Sequence, residues 1–262
     1  QRTGQLLTVR IGGGGTGLST DGYVYLPPQY FQPGYAHQRF PALVVLTGYP
    51  GDARNLVTRL DYPGISLGLV RGGQQQPTVL VLLRPSPAMP RDTECEDVPG
   101  GPQAAGYFTR DVPSAVTGAF RVLDPGHGWG IIGDSTGGYC ALKLAMRDPG
   151  VYSAAASLSG YLKAAGDPTT GDLFGGSRQR RDEADLLWRA RYLPPPPVSV
   201  LLAFSKDDNA SVQDTAAFLT AVRPPMTVAV STVDHGGHNF ETWTRLEPTA
   251  LSWLSQHLAA PG

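Results

Sequence analysis

Seven short apolar, β-branched runs recur along this chain with helical patterns between them, and that alternation restricts the fold more than any other feature. The runs are residues 23–26, 42–47, 78–83, 129–133, 154–158, 198–204 and 226–231, and the helical patterns cover 111–123, 136–147, 182–192, 212–222 and 247–258. A strand that returns to its sheet through a helix of roughly 10–15 residues runs parallel to the strand it left. The pattern therefore predicts an α/β fold, a mostly parallel central sheet with helices on both faces. The first strands precede any long helix and are expected as an antiparallel edge. The 262 residues suffice for one large core, so a single domain is expected over 1–262, with 1–20 as a flexible or edge-strand segment. Pro194 to Pro197 form a stiff approach to the run at 198, and the polar loop AAGDPTTGDLFGG at 164–176 is expected to lie over the site.

Composition excludes several classes. Hydrophobic residues make up 41% and charged residues 16%, which fits a globular chain and not a disordered one. The formal net charge is −1, and the densest basic stretch, Arg178 to Arg181, is interrupted by Gln179. Neither nucleic acid nor an anionic membrane surface is an expected partner. No apolar stretch approaches the ~18–20 residues of a membrane span. The chain opens at Gln1 without Met or a signal-peptide pattern, which reads as a processed or truncated product and is compatible with an upstream signal or anchor.

Gly12, Gly14 and Gly17 satisfy G-x-G-x-x-G, but the residues after them, LSTDGYVYLPP, read as a strand ending at two prolines. A dinucleotide fingerprint needs a helix there to meet the pyrophosphate, so these glycines are expected in a hairpin. No cofactor is expected.

Gly133-Asp134-Ser135-Thr136-Gly137 matches G-x-S-x-G, with the apolar run WGIIG before it and the helical YCALKLAMRDPG after it. In a strand-to-helix turn of that kind the flanking positions must be small, and the serine hydroxyl stands exposed at a helix N-terminus. Ser135 is the candidate nucleophile, and a serine needs a general base within hydrogen-bond reach. His238, in DHGGHNFETW between the last strand and the last helix, is the favoured base, with His235 as its rival. Two histidines three apart also raise a metal site, but Gly236 and Gly237 spoil a helical ligand face and no Cys or Glu set accompanies them, so no metal is expected. His37, His127 and His257 lie in no such pattern.

A triad's acid, in the chain order nucleophile, acid, base, belongs after the penultimate strand. Asp207 and Asp208 in AFSKDDNAS both stand there. Asp208 is the better fit to the turn, Asp207 is the alternative, and either is also a good helix cap. For the oxyanion, Thr136 N–H at the helix start needs a companion from the loop after an earlier strand. In LTGYPGD, Pro50 has no N–H, so Tyr49 is the natural donor, the plainer reading being a Pro-Gly turn.

The set VYLPPQY, LTGYPGD, GDSTGGYCALKLAM, SLSGY, FSKDDN and GGHNFETW resembles the esterase D and antigen 85-like branch of the α/β-hydrolases, which includes feruloyl esterases, S-formylglutathione hydrolases and mycolyltransferases. The resemblance runs from about Tyr23 to Leu258. It implies Ser135 as nucleophile, His238 as base, Asp208 as acid and the Tyr49 and Thr136 amides as oxyanion hole. DTECEDVPGGPQ followed by GYFTRDVP looks most like the extracytoplasmic esterase domains of actinobacteria, and in an exported domain Cys95 and Cys140 are expected to pair. The acidic group Asp92, Glu94, Glu96 and Asp97 is expected as a solvated face, with a calcium site as the lesser reading. TGYPG differs from the His-Gly pair of many esterase D members, and the mycolyltransferase acid is a Glu; both departures favour a plain esterase. The readings carried forward are a serine esterase of small-molecule, glycan or lipid esters, an acyltransferase to a sugar or glycolipid hydroxyl, and a non-catalytic domain that keeps the fold.

Overall fold

A computed structural model describes residues 2–262. In chain order it contains β1 (Gln5–Gly12), β2 (Ser19–Leu26), β3 (Ala42–Leu46), α1 (Arg54–Thr58), α2 (Tyr62–Arg71), β4 (Val79–Leu83), α3 (Ala104–Gly106), a π-helical turn (Tyr107–Asp111), α4 (Val112–Ala119), β5 (Gly126–Asp134), α5 (Thr136–Arg147), β6 (Tyr152–Leu158), α6 (Arg178–Ala184), α7 (Leu186–Tyr192), β7 (Ser199–Ser205), α8 (Asn209–Ala221), β8 (Thr227–Val233) and α9 (Phe240–Gln256). The eight strands form one sheet in the order β1-β2-β4-β3-β5-β6-β7-β8. The β1–β2 and β2–β4 pairs are antiparallel, and every pair from β4 to β8 is parallel.

All five residues of β3 (ALVVL) and of β4 (VLVLL) are buried, because helices cover both faces of the sheet there. One face packs Val44, Val81, Ile131 and Trp129 against Leu142 and Phe218. The other packs Val45, Leu82 and Ile132 against Trp243, Leu251 and Leu254 of α9. The chain leaves β3 toward β4 on one side, and β5 then takes the other side of β3. At such a reversal of strand order the loops diverge and open a crevice at the carboxyl ends of the strands. The loops after β3 and β5, which carry Tyr49 and Ser135, meet at that crevice.

The seven apolar runs are all strands, and residues 5–12 add an eighth at the edge. The glycines at 12–17 form the β1–β2 turn, held by Gly13 N–H donating to Leu18 O (2.7 Å) and by the Asp111 carboxylate accepting from the Gly15 (3.1 Å) and Thr16 (3.0 Å) amides. Helical boundaries move where a cap intervenes. The pattern at 182–192 breaks at Asp185, whose carboxylate accepts from the Leu187 and Trp188 amides at 3.1 Å each, making α6 and α7 two helices. The last helix begins seven residues before the expected start because Asn239 caps it through Thr242 N–H (3.0 Å), and Pro248 is accommodated inside it.

The acidic group at 92–97 is not a solvated face. Asp92, Glu94 and Glu96 are buried, since α5 carries the fully buried Lys143 beneath them. The Lys143 ammonium donates to a Glu96 carboxylate oxygen and to Glu94 O (3.0 Å), and Arg147 lies 3.7 Å from the other Glu96 oxygen. The Cys95–Cys140 disulfide, with Cα atoms 5.6 Å apart, ties the same loop to the same helix. Arg91 fastens the 164–176 loop to this segment through Thr170 O (2.8 Å) and Asp172 O (2.9 Å); Ser135 is half-buried and His238 exposed.

A buried ammonium stripped of its counter-charge is costly. Glu96→Gln is therefore expected to lower the unfolding free energy by about 3–5 kcal/mol, whereas the double replacement Lys143→Met with Glu96→Leu restores most of it. Urea unfolding of the three proteins measures both.

Candidate active site

Between β5 and α5, Ser135 has φ 52° and ψ −117°, a conformation sparsely populated by residues other than glycine. The neighbours hold it there. A Cβ on Gly133 would lie 2.3 Å from the Gly137 backbone, and a Cβ on Gly137 would lie 2.2 Å from Leu46 O in β3. Either side chain would push strand, helix and neighbouring strand apart. Ser135 N–H donates to Leu158 O (3.0 Å), and Ser135 O accepts from the Gly138 (2.9 Å) and Tyr139 (3.1 Å) amides. The serine hydroxyl thus stands at the N-terminus of α5, 2.9 Å from His238 Nε2. The imidazole comes from the β8–α9 loop and meets the edge of Trp243 at 5.1 Å between ring centres.

The two aspartates after β7 have separate partners. Asp208 caps α8, accepting from Ser211 N–H (3.1 Å) and Ser211 Oγ (2.7 Å). Asp207 accepts from Gly236 N–H (3.2 Å) and faces His235 Nδ1 at 3.3 Å. Neither carboxylate is within hydrogen-bond distance of His238, whose one side-chain hydrogen bond among the described residues goes to Ser135. The structure brings Ser135 and His238 together, joins Asp207 to the rival His235, and engages Asp208 as a cap.

After β3 the chain turns through Gly48, Tyr49, a cis peptide to Pro50, and Gly51, closed by Gly51 N–H donating to Gly48 O (2.8 Å). The Tyr49 hydroxyl donates to Pro90 O (2.6 Å) and anchors the turn to the loop after β4. The amides of Tyr49 and Thr136 donate to no protein acceptor among the described residues. Two unused donors beside a serine at a helix N-terminus are suited to an oxygen that gains negative charge.

Two supports of this site escape the sequence reading. Asp134, the variable position of G-x-S-x-G, is buried, and its Oδ2 accepts from Gly48 N–H at 3.1 Å. It links the elbow directly to the Tyr49 turn. Burial pushes its carboxyl up to about 7, against the opposing pull of the Gly48 amide. Tyr161 lies on the other side, with its Oη 3.1 Å from Thr136 Oγ1 and 2.6 Å from Glu94 Oε1. Burial and the neighbouring Asp92 charge raise Glu94 to about 8. A carboxylate inside a tightly packed turn was the available signal for Asp134; nothing local marked Glu94, whose partners come from other segments.

These raised carboxyls set a sign for stability against pH. Between about pH 4 and 8 the folded chain holds protons on Asp134 and Glu94 that the unfolded chain has released, so stability falls as pH rises. The Asp134→Asn variant is expected to lose its share of that slope, about 1.4 kcal/mol per unit of raised pKa at most. Urea unfolding at pH 5, 6, 7 and 8 on both proteins checks it.

Comparison with known proteins gives the family and the fold. Residues 15–253 match the family model Esterase, described as "Putative esterase". An uncharacterized protein of Corynebacterium glutamicum is 24% identical over 252 residues, which are 90% of this chain and 57% of that protein. The chain thus spans little more than half the length of that relative. Among solved structures, an S-formylglutathione hydrolase from Agrobacterium tumefaciens superposes with a TM-score of 0.78 at 16% identity, covering 99% of this chain and 97% of the other. The fluorophosphonate-binding serine hydrolase FphF of Staphylococcus aureus gives 0.75 at 16% identity, with 96% and 98% covered. These two likenesses concern the α/β-hydrolase fold. On the match over most of its length, the chain belongs to the esterase family.

Proposed function

We propose that this protein hydrolyses carboxylic esters through an acyl-enzyme on Ser135. The observation that carries the reading is the 2.9 Å approach of His238 Nε2 to Ser135 Oγ on a strained elbow flanked by two unused amide donors. His238 takes the hydroxyl proton as Ser135 Oγ attacks the ester carbonyl, and the oxyanion rests on the Tyr49 and Thr136 amides. The imidazolium then gives that proton to the leaving alcohol. A water deprotonated by His238 attacks the acyl-enzyme, the acid leaves, and Ser135 recovers its proton.

With Nε2 directed at the serine, the orienting acid must address Nδ1. Asp208 is assigned this role because it is half-buried and anchored on α8, whereas Asp207 is exposed and engages the backbone of the histidine loop. Catalytic hydrogen bonds that are open in a free enzyme tighten when substrate is bound. Acyl transfer to a sugar hydroxyl would use the same steps with the acceptor in place of water, and the product distribution separates the two. The Cys95–Cys140 bridge supports an extracytoplasmic setting, where disulfides persist. Among the described residues no helix is long and apolar enough to cross a membrane.

Intact-mass spectrometry after a fluorophosphonate probe, with 4-nitrophenyl butyrate turnover, tests the reading. The wild type is expected to carry one adduct that disappears in Ser135→Ala, with kcat falling at least ~10³-fold in that variant and in His238→Ala. Asp208→Asn is expected to cost ~10²–10⁴ in kcat and Asp207→Asn less than ~10-fold. The reverse ranking reassigns the acid. A folded protein with neither adduct nor turnover would sink the esterase reading and favour a binding domain.

A further inference from the structure

A cavity of about 430 Å³ opens beside the Tyr49 turn, between the β1–β2 hairpin and the loops after β3 and β4. Its wall carries three arginines, Arg10, Arg54 and Arg84, and two aspartates, Asp21 and Asp52, in a chain whose net charge is −1. The aspartates do not neutralise the arginines one for one. Asp21 pairs with Arg10 at 2.9 Å, both side chains largely exposed. Asp52 turns its Oδ1 onto the Arg54 backbone amide (2.7 Å), a turn-closing bond that leaves the guanidinium alone. Among the described residues no carboxylate oxygen lies within 4.0 Å of the Arg54 or Arg84 guanidinium.

Arg84 is the more telling of the two. It is half-buried, its Nε is enclosed without a hydrogen-bond partner, and its single side-chain contact to an acceptor is Gly51 O at 3.5 Å. Taking a guanidinium partly out of water without a counter-charge costs free energy, and its enclosed Nε–H has no acceptor among the described residues. A planar guanidinium with unsatisfied N–H groups fits carboxylate or phosphate oxygens in a bidentate fork.

Its place relative to the nucleophile follows from strand register. Leu83 of β4, Leu46 of β3 and Gly133 of β5 lie in one row across the sheet. Arg84 and Asp134 are the next residues at the same end, two strand spacings, or about 10 Å, apart. Gly51, which Arg84 contacts, belongs to the turn that presents Tyr49 N–H. We propose that this cavity is a subsite for an anionic group, a carboxylate or a phosphate, carried by the ester substrate about two strand widths from the reacting carbonyl. The proposal rests on the esterase reading for its catalytic consequence; the anion site itself stands on the arginines.

Two arms of one experiment distinguish the anion. Turnover of 4-nitrophenyl monoesters of dicarboxylic acids is compared with that of neutral monoesters of equal length, and acetylated hexose phosphates with the acetylated free hexose. One anionic series is expected to exceed its neutral counterpart at least ~10-fold in kcat/KM at low salt, an advantage that shrinks toward 0.5 M salt. Arg84→Gln should reduce the anionic-to-neutral ratio about tenfold, and Arg84→Glu should invert it; Arg54→Gln gives a second variant on the same wall. Independently of turnover, inorganic phosphate and glutarate are titrated against ¹⁵N-labelled protein, with saturable shifts expected at the Arg84 Nε resonance. Equal ratios in both series with unmoved arginine resonances overturn the subsite. If neutral esters still turn over and Ser135 still labels, the esterase reading survives that loss. If labelling and turnover both fail while the arginine resonances titrate, the site stands and the esterase reading falls.

Discussion

The contact on which the rest of the site depends is the approach of three backbones at the end of β5. Gly137 at the start of α5 lies so close to Leu46 of β3, and Gly133 so close to Gly137, that neither position has room for a Cβ. Because helix and strands cannot separate, Ser135 takes a positive φ and its hydroxyl is presented outward. The same closeness brings the β3 turn beside the elbow: a Cβ on Gly48 would lie 3.2 Å from Ser135 Cβ. Strain at the serine is thus compensated by the packing of a sheet whose central strands are buried throughout.

Around this junction the fold buries ionisable groups to an unusual degree. Asp134 braces the Tyr49 turn, while Glu94 and Tyr161 back the side chain of Thr136. Behind them Lys143 and Glu96 form an ion pair inside the α5 layer, and the Cys95–Cys140 bridge fastens the same loop covalently. Desolvation of each group is costly, and each is tied to a partner that aligns a loop next to the serine. On the far side of the Tyr49 turn the pattern reverses. There Arg54 and Arg84 have no acidic partner among the described residues, and the wall offers charge to a visitor instead of closing on itself.

Much of this was legible in the sequence, for local reasons. The strand WGIIG, the turn DSTGG and the helix YCALKLAM are contiguous, so periodicity and small residues suffice to mark Ser135. His238 was readable because it falls between the last strand and the last helix, although the Asn239 cap that starts that helix at Phe240 was not read. The acidic run at 92–97 misled because charge alone favours solvent; its buried partner, Lys143, is 47 residues away from Glu96. The break at Asp185 was hidden because an Asp inside a helical pattern caps only when its own backbone leaves the helical conformation, which packing decides.

The division follows the range of the interactions. By itself the sequence determined the alternation of strands and helices, the elbow and the candidate base, since each is written in a continuous stretch with its own period, caps and turn residues. Only the tertiary structure decided which amide Asp134 would brace, 86 residues away, that Asp207 would face His235 while His238 met Ser135, and which arginines, among the described residues, would have no carboxylate within reach. Those pairings join separate segments at the carboxyl end of the sheet, and strand order with register, which no local pattern encodes, sets what meets there.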